Sequence, residues 1–126
     1  MAKKGIDDQA GFAAVRAALA DATPSRDVLA TAVRYLLQLL AEKAPGHTVE
    51  VRVPPFGAVQ VVEGPRHTRG TPPNVIETDA ATWVALASGR LSWESAAAAS
   101  LVSASGTRAT LDDLLPVLPH SFALGE

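Results

Sequence analysis

The hydrophobic pattern changes period at Pro45-Gly46, and that change restricts the chain to folds that pack helices on a sheet. Before it, Leu29, Val33, Leu36 and Leu40 recur at spacings of three and four, with Val28, Ala32 and Leu37 widening the stripe to the breadth of a sheet-packed helix. Thr23-Pro24 supplies an N-cap followed by proline at the first helical position, so a helix is expected from there to Lys43. After it, Thr48-Val49-Glu50-Val51-Arg52-Val53 alternates, three valines to one face and three polar residues to the other, as in a half-buried strand. Pro54-Pro55-Phe56-Gly57 interrupts and Ala58–Val62 resumes, giving an antiparallel hairpin with a four-residue connection.

The flanks follow the same logic. Phe12, Val15 and Leu19 make one stripe of a helix over Asp7–Ala20, with an acidic start suited to the positive end of the helix dipole. Residues Glu63–Pro73 carry two glycines, three prolines and no aliphatic side chain, so they read as a loop. Asn74–Thr78 is a short β-branched strand, Asp79 caps a helix over Ala80–Ser88, and Gly89 stands at its left-handed C-terminal position. Ser92 caps a further helix through Ala99, Leu101–Ser105 is a last strand ending at Gly106, and Thr110 with Asp113 forms a partial capping box for a helix through Leu118. The expected class is α+β: a small, largely antiparallel sheet with helices covering one face. One domain over 1–126 is expected, residues 1–22 holding the N-terminal helix and 119–126 a poorly ordered tail.

Composition removes whole classes of function. There is no cysteine, hence no disulfide framework, thiolate nucleophile or cysteine-based metal centre. A net charge of −2 argues against gripping nucleic acid by global electrostatics. The longest run without Asp, Glu, Lys or Arg is Ser95–Thr107, 13 residues and short of the roughly 18–20 apolar residues of a membrane span. Lys3-Lys4 is followed by Ile6-Asp7-Asp8 where a signal peptide would place its apolar region, so a cytoplasmic location is expected. The 48% hydrophobic content includes 24 alanines and only six aromatic residues, so Ala, Val and Leu must build the core around two tryptophans.

Chemistry-bearing patterns are few. Arg66, His67 and Arg69 stand within four residues of the 63–73 loop, where two guanidiniums suit an acidic ligand head or a protein partner, or else pair with Glu63, Glu77 or Asp79 as a solvated surface. His47, His67 and His120 share no metal-ligand spacing, no G-x-S-x-G elbow occurs, and the glycines form neither a dinucleotide nor a phosphate-binding loop. No cofactor is expected and the chain reads as non-catalytic. Trp83 and Trp93 are plugs of the helix–sheet gap or walls of a cavity, and the Ala-rich run Trp93–Leu101 suits a helix beside a pocket or one packed very closely.

The stretch Val75–Trp93, in which a strand ends at an acidic cap and a helix ends at Gly89-Arg90-Leu91, resembles the sterol carrier protein 2-like superfamily. The string Arg52–Asp79 is similar, more narrowly, to its short stand-alone bacterial members, known mainly from actinobacteria. The resemblance spans about Thr23–Leu118 and implies a five-stranded sheet with helices over one face, enclosing an apolar tunnel for fatty acyl chains or sterol-like lipids. Only four strands are readable, because the Arg66–Pro73 loop occupies the place of the family's third. On this basis Trp83, Leu86, Trp93, Leu101, Val59 and Val61 are the expected walls of a lipid site, with Arg66, His67 and Arg69 at its head group. The same fold resembles the C-terminal domain of mycothiol-dependent enzymes, which leaves an accessory or protein-interaction module as the alternative.

Overall fold

The computed structural model describes residues 5–64, 73–119 and 122. Within them the chain runs through helices α1 (Asp8–Ala20) and α2 (Arg26–Lys43), strands β1 (Pro45–Val53), β2 (Gly57–Val61) and β3 (Asn74–Thr78), helices α3 (Ala80–Ser88) and α4 (Trp93–Ala98), and strand β4 (Val102–Ser105). The strands form one sheet in the order β2-β1-β3-β4. β1 pairs antiparallel with β2 and parallel with β3, and β3 pairs antiparallel with β4. The fold is α+β with a mostly antiparallel sheet. Its one parallel pairing needs no long crossover, because the hairpin returns the chain to the end of β1 where Asn74 begins β3 beside Val49.

The valine alternation works as its period requires. Val49, Val51, Val53, Val61 and Ile76 turn to one face and are buried with Val33, Leu36, Leu37 and Leu40 of α2. Glu50, Arg52, Gln60, Glu77 and Ser103 alternate with them on the opposite, solvent-facing side, where Arg52 Nε lies 3.0 Å from a Glu50 carboxylate oxygen. Trp83 fills the space between α3 and α2, and its indole N–H donates to the Val33 carbonyl at 3.2 Å. Burying the ring satisfies its one polar atom, so the indole costs no orphaned donor.

α1 is fastened to α2 at two points. The Gln38 side-chain amide donates to the Ile6 carbonyl and accepts from the Ile6 N–H, both at 2.9 Å. The Tyr35 hydroxyl donates to Asp8 at 2.6 Å, while Phe12 meets the Tyr35 ring edge-on at 5.7 Å between centroids. Burial of the phenol, followed by the neighbouring Asp8 carboxylate that accepts its proton, raises the Tyr35 pKa well above the ordinary value.

The structure departs from expectation at several points. The cap of α2 is Ser25, not Thr23: Ser25 Oγ accepts from the Val28 N–H at 3.2 Å, whereas the Thr23 N–H is taken by Asp21 Oδ1 at 3.0 Å in the connection between helices. β1 starts at Pro45 and β2 at Gly57, which shortens the hairpin connection to 54–56. The added length of β1 contains a bulge, for Pro45 and Val49 both oppose Val61. The expected helix from Thr110 to Leu118 is only a 3-10 turn at Asp112–Leu114, because Leu115 takes the extended conformation that a following proline imposes. Finally, the Ala-rich run does not pack closely along its length: Ala96 is buried, Ala97, Ala98 and Ala99 face solvent, and Ser100 and Leu101 at its end border a shallow depression. The site of the superfamily's third strand and most of the tail lie outside the described residues.

Candidate functional site

A largely apolar cleft of about 370 Å³ opens where α1 ends, α2 begins and α3 passes beneath. Its walls are Ala18 and Leu19 from the last turn of α1, Leu29 from α2, and Ala81, Val84 and Ala85 from one side of α3. Asp21, Ala22, Thr23 and Pro24 complete the rim. Local chemistry holds the rim in place: α1 stops at Asp21 in an extended conformation, Asp21 caps the Thr23 N–H, and Ser25 begins the next helix. Alanines at 18, 22, 81 and 85 keep the helices from filling the gap that their axes leave. For scale, a dry apolar cavity of about 150 Å³ accepts a benzene-sized guest. The cleft has more than twice that volume, with Asp21 and Thr23 at its polar edge.

A second, shallower depression of about 320 Å³ lies at the start of α3, over Pro54, Glu77, Thr78, Asp79 and Ser100–Ser103. It is more polar, and Asp79 is already engaged there as the cap of α3, accepting from the Thr82 N–H at 2.8 Å.

The expected site residues are spread over three environments. Trp83 and Val61 are completely buried in the main core, and Val59 packs half-buried against its edge. Leu86 is buried outside that cluster, and Trp93 is half-buried against it. Leu101 is 42% exposed at the second depression. None of these six lines the larger cleft; Trp83 and Leu86 flank its α3 wall in sequence, next to Val84 and Ala85. Arg66, His67 and Arg69 lie outside the described residues. Among the described residues no three His, Cys, Asp or Glu side chains are grouped to hold a metal ion.

Sequence reasoning missed a polar clasp at the base of the 63–73 segment. Asn74 is 3% exposed; its amide donates to the Thr48 carbonyl at 2.9 Å and its Oδ1 accepts from the Arg108 N–H at 2.8 Å. Gly64 closes on the Thr48 and Arg108 side chains, and Gly106, at φ +114°, presses on Asn74 and the Pro73 carbonyl so tightly that no side chain fits there. One asparagine thus joins β1, β3 and the turn after β4.

No described helix is long and apolar enough to cross a membrane. A comparison with curated proteins gives no match. A family profile described as "Bacterial SCP ortholog" matches residues 25–117, from the cap of α2 through every strand to the segment after the 3-10 turn. On that match, and with helices over one face of a mostly antiparallel sheet, the chain belongs to this bacterial sterol carrier protein-like family.

Proposed function

We propose that the protein is a non-catalytic carrier of an apolar ligand, a fatty acyl chain or similar lipid, which it binds in the cleft between α1, α2 and α3. The observation that carries this reading is the cleft itself: Leu19, Leu29 and Val84 offer apolar surface to a guest, and the alanines beside them leave volume in the range of small-molecule sites. Family membership supplies the ligand class. On this reading Trp83, beside Val84, belongs to the closed core behind the site, and the protein works in the cytoplasm without a cofactor. Binding needs no chemical step; transfer of apolar surface out of water drives it.

The test is displacement of a fluorescent long-chain fatty acid. Wild type is expected to bind it, and Ala85→Trp, which fills the cleft from the exposed side of α3, to weaken binding at least tenfold with an unchanged circular dichroism spectrum. Wild type that binds no fatty acid at all defeats the proposal.

A second reading, a protein-interaction or accessory module, is favoured by one observation. The space between helices and sheet, where the superfamily resemblance puts a tunnel, is occupied by Trp83, Ile76 and Val51 at 0–1% exposure. Organic extraction and mass spectrometry of protein from its native host separates the two readings. Co-purified lipid supports the carrier, and co-purified protein without lipid supports the module.

A further inference from the structure

The charge-free run Ser95–Thr107 is the longest in the chain, and the fold displays it. Of its 13 residues 11 are exposed; Val102 is half-buried, and Ala96 alone is buried. The run contains the whole of β4, which ends the sheet among the described residues. An end strand presents unpaired backbone N–H and C=O groups, and soluble proteins blunt such edges by keeping them very short or with lysine, proline, inward charges or a bulge. β4 is short, at four residues, but carries none of the other devices: it reads Val-Ser-Ala-Ser and pairs with β3 in unbroken register. Leu101, the one exposed large hydrophobic residue among those described, stands immediately before it.

We propose that β4 is the contact through which two copies of this chain pair, antiparallel, to make one continuous sheet. The occupant follows from charge. A two-fold contact sets each residue near its own image, so any charge at the centre meets a like charge, and a neutral strip is the composition that a self-contact requires. A different protein partner would be free to use complementary charges, and the strip offers it none. Serine and alanine let two backbones approach to the spacing of a ladder, while Leu101 and the exposed Ala97–Ala99 supply apolar surface beside it. A 13-residue strip is smaller than the roughly 20–30 residues per side of a standard interface, the size class of weak, reversible associations.

Sedimentation equilibrium of the full chain from 5 to 500 µM tests this. Wild type is expected to move from monomer to twice the monomer mass across that range. Ala104→Lys puts a charge at an exposed centre of β4, and is expected to raise the dissociation constant at least tenfold with the circular dichroism spectrum preserved; Ser105→Pro, which removes an edge donor, is expected to do the same. Wild type that stays monomeric at 500 µM overturns the proposal, as does a dimer that both variants leave intact.

Discussion

Gly11 of α1 rests directly on the ring of Tyr35 in α2: a Cβ at position 11 would overlap Cγ and both Cδ atoms of that ring. The glycine sits inside a regular helix, where it forgoes about 1 kcal/mol of helix propensity relative to alanine. It is retained in the packing because α1 could not otherwise approach close enough for Phe12 to meet Tyr35 and for Asp8 to accept the phenolic hydrogen.

Gly11→Ala therefore reverses the usual result for a helical glycine. Forcing the methyl against a fully buried ring is an overpacking change, which costs about 1–3 kcal/mol and outweighs the propensity gain. Urea unfolding at 25 °C is the measurement, with a lower midpoint as the expected outcome; a stabilised variant would show that α1 can shift without loss.

The Tyr35–Asp8 bond has a pH signature. The folded phenol holds its proton to higher pH than the unfolded one, so the unfolded chain loses it first, and stability declines as pH rises above the ordinary tyrosine value near 10. Below that value the contribution is fully present. Tyr35→Phe removes this part of the alkaline decline, so its stability between pH 9.5 and 11 should fall less steeply than that of wild type. Parallel slopes would contradict the assignment.

Asn74 is buried with donor and acceptor both used, and removing it leaves the Thr48 carbonyl and the Arg108 N–H without partners. Each unsatisfied buried group costs about 1–3 kcal/mol, so Asn74→Ala is expected to lower stability by about 2–4 kcal/mol. Asn74→Asp supplies a second check: it replaces the donor facing Thr48 with a buried carboxylate, whose pKa burial raises. Thermal melts of that variant should recover as pH falls from 7 to 4, where protonation restores a donor. A melt of Asn74→Asp equal to wild type at pH 7 would mean that the clasp bears no load.

Trp83→Phe keeps most of the apolar volume but opens a gap at the core and deletes the donor to Val33. The expected loss is about 1–3 kcal/mol, against about 3–5 kcal/mol for Trp83→Ala, both read from chemical denaturation. Equal losses in the two variants would indicate that the ring volume is not what supports α3 on α2.

The parts of the fold that were legible are those whose cause is local. The caps Asp79 and Ser92 bond an N–H three residues on, the left-handed Gly89 ends its helix within one turn, and the Val49-Val51-Val53 period belongs to one strand. Where two local signals competed the sequence was ambiguous, as with Thr23 and Ser25, both good caps two residues apart. What joins distant segments was invisible. Asn74 and Arg108 are 34 residues apart, Trp83 and Val33 50, and neither pair carries a pattern. The cleft is hidden for the same reason: it exists only because the alanines of α1 and α3 meet at the turn before α2. Of the expected lipid walls, Trp83 and Val61 stand in the closed core while Leu101 is exposed, a difference that residue type alone does not carry.

The central claim is that an apolar ligand enters the cleft between the three helices and leaves the helix–sheet core closed. Titration of the ¹⁵N-labelled protein with a long-chain fatty acid, followed by amide chemical shifts, tests it most directly. Shifts should cluster on Leu19, Ala22, Leu29, Val84 and Ala85 and leave Val51, Val59 and Ile76 unmoved. Shifts centred on Val51 and Ile76, or no saturable shifts at all, would contradict it.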